Sequence, residues 1–421
     1  MTELTELTDW LPHQRWYASK SQEISEVVVL DSLSLETGGK VELIGIIFST
    51  GAREIYQLVP DLGAGLPQAM AASHGYQTEH GCFNFQAAEG LTLHEAAVRP
   101  IGAEQSNTTV VVDDHYAMKV FRKVEAGINP ELEMLRFLSY RGFPNIAALR
   151  GWYEYEGHAV NATLGVLQDF VPDGQDGWQL ALAELPTDPE RFLKRIGSLG
   201  SATAKLHSTL ATDFEDPAFA PVEPSNEAIA LLRAKIDEDI EQVFFSMPHD
   251  NASVAPIASR GSEIRGRLAE RPLITSSGRY IRIHGDYHLG QTLARPDGSW
   301  VILDFEGEPA RPLAERRMKR SGLRDVASIL RSFAYAAAAV ERMDGPNAPA
   351  HFEAAAREAF LATYLHEVDQ SLLPTGQPAV ENLLAIFELE KAIYELRYEL
   401  NNRPDWVSIP VAGIERLLEA A

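Results

Sequence analysis

Asp286, Gln291 and Asp304 are residues whose types and spacing suit a phosphoryl transfer. Moving a phosphoryl group onto an alcohol requires a carboxylate that takes or orients the hydroxyl proton, and oxygen donors that hold Mg2+ against the phosphates. Asp286, in His284-Gly285-Asp286, suits the role of base. Gln291, five residues on, offers an amide oxygen, and Asp304, 18 residues beyond Asp286, offers a second carboxylate at the end of Trp300-Val-Ile-Leu-Asp304. A histidine placed like His284 more often braces the backbone than reacts. His288 is open to two readings, contact with a substrate or packing within the loop. Taken alone, His284-x-Asp286-x-His288 also has the donor set of a transition-metal site, so a metallohydrolase stands as an alternative.

These residues need elements to hold them. In the second half of the chain only 281–283, 292–294 and 300–304 read as strands, and they surround the His284 segment. Around them the apolar spacing predicts long helices at 190–212, 225–244, 324–342, 351–369 and 379–402. The first 90 residues instead alternate like short strands separated by Gly- or Pro-containing turns. Thr108–Val112 and Tyr116–Phe121 follow as a hairpin, and Asn129-Pro130-Glu131 then opens a helix as cap, first-turn proline and acid. The spacing of Asp286, Gln291 and Asp304 resembles that of protein kinases, where H-R-D-x-x-x-x-N and D-F-G supply base and metal ligands. Lys119, in Tyr-Ala-Met-Lys, resembles the kinase strand lysine that pairs with ATP phosphates, and Glu133, deeper in the following helix than Glu131, is expected to hold its ammonium. The chain has no Gly-x-Gly-x-x-Gly loop before Lys119. Ser106 and Asn107, in Glu104-Gln-Ser-Asn-Thr-Thr109, are the candidates to cradle phosphate in its place. Chain order puts Gln168 and Phe170, in Gln168–Gly174, at an inter-lobe hinge whose backbone would meet adenine.

With 60 acidic against 37 basic residues, a net charge of -23 argues against a surface that coats nucleic acid or binds an anionic membrane. Local backbone amides, a lysine and Mg2+ suffice for ATP on an acidic protein. The opening residues lack a basic stretch followed by an apolar run, and no later stretch has the length to span a bilayer. A single cysteine, Cys82, forms no internal disulfide, so a cytoplasmic protein is expected.

The motifs together resemble the actinobacterial maltokinase and glucosamine kinase group of aminoglycoside phosphotransferase-like kinases. The likeness runs through His284-Gly-Asp-Tyr-His-Leu-Gly-Gln291, Leu303-Asp-Phe-Glu-Gly-Glu-Pro309 and Leu323-Arg-Asp-Val-Ala327, and reaches Leu11-Pro-His-Gln-Arg-Trp-Tyr17 and Asn402-Arg-Pro-Asp-Trp406 at the two ends. It implies an α+β, two-lobed protein-kinase-like fold: an N-terminal β-rich cap at 1–90, an ATP-binding lobe at 91–174 and a mostly helical lobe at 175–421. It also implies ATP and Mg2+, with phosphate delivered to a sugar. Arg320-Ser-Gly322 and Ala334 depart from the maltokinase pattern and favour the glucosamine branch, with maltokinase as the alternative; an inactive kinase-like binding module is a further reading. On the last long helix Glu388, Glu395 and Glu399 share an acidic face, where like charges repel unless a cation intervenes. That face, with Trp406 as a stacking platform, is expected to bind an aminosugar; the alternative is a solvated face whose acids pair with Lys391 and Arg397.

Overall fold

A computed structural model describes residues 4–14, 16–101, 107–248, 251–270, 277–343, 348–349 and 351–419. The chain divides into two compact units, Met1–Asp173 with Pro309–Arg316, and Gly174–Glu308 with Arg317–Ala421.

The first unit begins with α1 (Leu4–Trp10) and an antiparallel meander of β1 (Ile24–Ser34), β2 (Lys40–Phe48) and β3 (Arg53–Asp61). Period-two alternation gives β2 two apolar faces. Ile44, Ile46 and Phe48 pack with Leu7, Leu11, Trp16 and Tyr17, while Val41 and Leu43 join a second core with α2 (Gly65–Ala72). Next come β4 (Gly75–Gln77), β5 (Gly81–Ala87), β6 (Val98–Pro100), β7 (Thr108–Val112), β8 (Tyr116–Val120), β9 (Lys123–Val124), α3 (Pro130–Tyr140), β10 (Leu149–Gly157) and β11 (Asn161–Asp169). They do not respect a boundary at residue 90. One sheet runs β1-β2-β3-β9 and the other β4-β5-β10-β11-β8-β7-β6, so each sheet takes strands from both sides of that position. Buried polar groups fasten the two together. Gln57 of β3 donates to the carbonyls of Phe121 and Leu164 at 2.9 Å each and accepts from the Tyr153 hydroxyl at 2.8 Å, which satisfies an amide that burial would otherwise penalise.

The second unit is mainly helical. It contains β12 (Gln175–Asp176), α4 (Gly177–Glu184), α5 (Pro189–Leu210), α6 (Asn226–Ser246), α7 (Gly261–Glu270), β13 (Thr292–Ala294) and β14 (Trp300–Ile302). The short helix α8 (Leu313–Arg316) belongs to the first unit, and the chain then returns as α9 (Leu323–Glu341), α10 (Phe352–Glu367), α11 (Gln377–Asn402) and α12 (Ser408–Glu419). The long helices lie where the apolar spacing predicts them. Asp176 and Asp188 accept the amides of Gln179 and Arg191 as N-caps, and Pro189 occupies the first turn of α5. The small sheet β12-β13-β14 carries the predicted hairpin, with Thr292 opposite Ile302 and Ala294 opposite Trp300. Close packing holds α4 against this segment: a Cβ on Gly177 would lie 2.2 Å from Thr292 Oγ1. Among the described residues no helix is long and apolar enough to cross a membrane.

Candidate active site

The loop bearing Asp286 is fixed from below by Asp325 of α9. The amide of His284 donates to Asp325 Oδ2 at 2.8 Å and that of Gly285 to Oδ1 at 2.9 Å. Asp325, 2% exposed, also meets His207 Nε2 of α5 at 3.1 Å, and His207 Nδ1 lies 2.8 Å from the Tyr364 hydroxyl. Burial works to raise the Asp325 carboxyl, but the bond from His207, the neighbouring imidazoles and the Gly285 amide outweigh it and hold the group below the usual carboxylate range. Gly285 turns through φ +85°, where a side chain is strained, and a Cβ there would come within 3.2 Å of Gly307 Cα.

His284 is a brace. Its Nε2 lies 2.7 Å from the Leu303 carbonyl, and its Nδ1 accepts the Asp286 amide at 3.3 Å; this network assigns the proton to Nε2. With both nitrogens engaged, the ring does not present a lone pair to a transition metal, which counts against the metallohydrolase reading. Asp304, which follows β14, adopts a left-handed backbone with φ +63°. The Gln291 amide nitrogen donates to Asp304 Oδ2 at 2.9 Å, and the backbone bond from Leu303 N to Gln291 O, also 2.9 Å, sets their register. The hairpin thus brings an amide and a carboxylate together, and their oxygens are the hard donors that suit Mg2+. Bound there, Mg2+ would offset phosphate charge.

The two oxygens of Asp286 face different elements. Oδ1 lies 3.9 Å from Lys391 Nζ of α11, and Oδ2 lies 4.0 Å from His288 Nε2. His288 Nδ1 accepts the Gly290 amide at 3.1 Å, which fixes the ring within the loop while its Nε2 edge faces Asp286. Desolvation moves the His288 pKa below the ordinary imidazole range, against the opposing pull of Asp286. The Lys391 ammonium lies 5.0 Å from the Tyr394 ring centroid, and the Tyr394 hydroxyl is hydrogen-bonded to Glu308.

In the first unit Lys119 lies in the middle of the large sheet, opposite Thr109 of β7 and Val166 of β11. Its ammonium is 2.6 Å from Glu131 Oε2, and Glu131 is 1% exposed. The expectation that gave this role to Glu133 is corrected to Glu131. Asn129 caps α3 by accepting the Glu131 amide at 2.8 Å, and helical side chains lean toward the N-terminus, so an acid at the second position reaches the strand in front. Glu133 is buried on the same turn. Asn107 Oδ1 accepts the Arg122 amide at 3.2 Å; Ser106 lies outside the described residues. Gln168 pairs with Ala117 and Leu149, while the amides of Asp169 and Phe170 donate to the carbonyls of Ala148 and His115. Those two donors are therefore committed within the unit.

Residues 97–308, half of the chain, match the phosphotransferase enzyme family. The chain belongs to that family. Residues 10–87 match the maltokinase N-terminal cap domain. Among curated proteins, a glucosamine kinase of Mycolicibacterium smegmatis is 26% identical over 390 residues, covering 85% of this chain and 89% of the relative. A second glucosamine kinase, from Streptacidiphilus jiangxiensis, is 26% identical over 339 residues, covering 76% and 73%. A crystal form of a glucosamine kinase superposes with a TM-score of 0.75 at 21% identity, covering 98% of this chain and 99% of that one. Another, in complex with glucosamine, ADP and inorganic phosphate, superposes with a TM-score of 0.71 at 22% identity, covering 94% of each. This likeness establishes the kinase-like fold.

The acidic face expected on α11 is not open to an aminosugar. Glu388, 1% exposed, accepts from Arg357 at 2.8 Å and Arg416 at 3.1 Å. Glu395 takes two bonds from Arg331 at 2.8 and 2.9 Å, and Glu399 takes the Tyr335 hydroxyl at 3.0 Å and Arg403 at 2.7 and 2.9 Å. Trp406 stacks on Tyr335, with ring centroids 6.1 Å apart, and the guanidinium carbons of Arg342 and Arg403 each lie 5.1 Å from its ring. The assignment of Glu388, Glu395 and Glu399 to the sugar is therefore corrected: they are buried, and the repulsion along the helix is relieved by the chain's own arginines, while Trp406 stays half-exposed. The alternative pairing with Lys391 and Arg397 also gives way, since Lys391 pairs with Asp286 and Arg397 with Asp239. Sequence reasoning missed Asp325 and the position of Lys391 beside Asp286. For Asp325 a signal existed in an acid that shares a helix face with Ile329, Phe333 and Ala336.

Proposed function

We propose that this protein is an ATP-dependent sugar kinase acting on glucosamine to form glucosamine 6-phosphate. The observation that carries the reading is the hairpin contact of Gln291 with Asp304, next to a loop that holds Asp286 by two backbone hydrogen bonds to Asp325. In this reading Asp286 accepts the proton of the sugar hydroxyl, Gln291 and Asp304 hold Mg2+, and Lys119, positioned by Glu131, pairs with ATP phosphates. His288 lies beside Asp286 and is assigned to the wall of the sugar site. Ser106 and Asn107 remain candidates for the phosphate side, and Gln168 and Phe170 for adenine. The two curated relatives described above carry the name glucosamine kinase, which supports the choice of sugar.

The match to the maltokinase cap domain favours a second reading, maltose phosphorylated to maltose 1-phosphate. Steady-state ATP consumption with glucosamine, glucose and maltose separates the two, followed by NMR assignment of the phosphorylated carbon. Preference for glucosamine with phosphate on C6 is the expected result. A clear preference for maltose overturns the choice of sugar, and hydrolysis of a substrate without ATP overturns the kinase reading.

A further inference from the structure

Lys391 stands on α11 between Glu388 and Glu395, yet those acids are occupied by Arg357, Arg416 and Arg331. The ion pair its ammonium makes is instead with Asp286, at 3.9 Å, and both side chains retain 26% exposure. That separation is too long for a hydrogen bond, which prefers about 2.7 to 3.2 Å. It suits a third atom: an oxygen about 2.8 Å from each group completes a near-right-angled triangle with bonds of ordinary length. The Tyr394 ring supports the ammonium from one side, and Tyr394 is tied to Glu308.

We propose that Lys391 is a catalytic residue that, with Asp286, holds the acceptor hydroxyl. This rests on the kinase reading above. The hydroxyl donates its hydrogen to Asp286 Oδ1 and accepts a hydrogen bond from the Lys391 ammonium. In the transfer the proton passes to the Asp286 carboxylate, the sugar oxygen forms its bond to the γ-phosphorus of ATP, and the bond from that phosphorus to the bridging oxygen breaks, its electron pair leaving with ADP. Lys391 keeps its proton throughout and stabilises the charge that develops on the sugar oxygen.

The test compares wild type, Lys391→Met and Lys391→Arg with glucosamine and ATP, together with thermal denaturation and the Kd of a non-hydrolysable ATP analogue. Loss of a donor to a developing oxyanion lowers kcat by about 100-fold or more. Lys391→Met is expected to show that loss with the analogue Kd unchanged, and Lys391→Arg to recover part of the rate. If Lys391→Met does not fold, Lys391→Gln, polar and of similar reach, is read in the same way. A folded neutral variant whose kcat stays within about threefold of wild type overturns the proposal, since the donor would then be dispensable. A wild type that transfers phosphate to no sugar overturns the functional reading and this inference with it, whereas active wild type with an equally active neutral variant removes the role of Lys391 alone.

Discussion

Single side chains here act through charges that sit among partners from distant parts of the chain. In the proposed function Asp286 is the base, and Asp286→Asn keeps its shape but removes its ability to take a proton. Its kcat should fall by about 10²- to 10⁴-fold with the affinity for ATP retained, as single-turnover kinetics and a nucleotide-binding titration would show. Near-normal turnover would sink the assignment of the base. Glu131 presents a different case, because it and Lys119 form a buried pair, 1% and 11% exposed at the side chain. Breaking a buried ion pair by removing one member is destabilising, by up to about 3 to 5 kcal/mol. Glu131→Gln should therefore lower stability in urea denaturation and also raise the KM for ATP; a variant as stable as wild type with an unchanged KM would show that the pair holds neither the sheet nor the nucleotide. The exposed pair between Arg99 and Asp114, by contrast, is expected to contribute less than about 1 kcal/mol.

At the scale of elements, α9 works as a fixed post for the loop that bears Asp286. Asp325→Asn keeps one oxygen acceptor but sets an amide nitrogen against one of the three donors from His284, Gly285 and His207. An unsatisfied buried donor costs about 1 to 3 kcal/mol, so the variant should melt earlier and lose kcat more than ATP affinity. The pH dependence has a definite sign. The Asp325 pKa in the folded protein lies below its ordinary value, so its contribution is fully present above the unfolded pKa, near 3.9, and is lost as pH falls through the folded value. Wild type should lose stability more steeply than Asp325→Asn below about pH 4, as denaturation midpoints at stepped pH would show; parallel curves would refute the linkage. Much of this element level was legible in the sequence. Trp300-Val-Ile-Leu ran to a carboxylate at fixed distance from Asp286, and local alternation gave the hairpin that joins Gln291 to Asp304. The acids of α11 were not legible in the same way. Helical spacing tells which acids share a face, and Arg403 stands four residues beyond Glu399, but the arginines that meet Glu388 and Glu395 come from α9, α10 and α12, and no local pattern announces those meetings. The meeting of Lys391 with Asp286 is hidden for the same reason, since only the tertiary fold brings the two together.

Within the whole molecule, the first 90 residues look like a detachable module in sequence, and the structure shows why the reading stops there. Strands β4 and β5 add to the lobe sheet beside β10, and β9 returns to the cap sheet beside β3. Pairings between strands so far apart in the chain leave no signature in either stretch alone. A fragment comprising residues 91–421 would expose the edge of β10 and leave Tyr153 and Tyr155 without the partners Gln57 and Asp31. It should be insoluble or lack a cooperative melt, whereas a soluble fragment with native-like circular dichroism and ATP binding would show that the lobe stands alone. The same strand exchange bears on inheritance. When two divergent homologous genes recombine with a crossover near codon 90, β3 and β9 come from different parents, as do β5 and β10, and the mismatches include the buried pairs Phe85–Tyr153 and Phe83–Tyr155. Crossovers there should be purged, and the cap and the first lobe should descend together as one block.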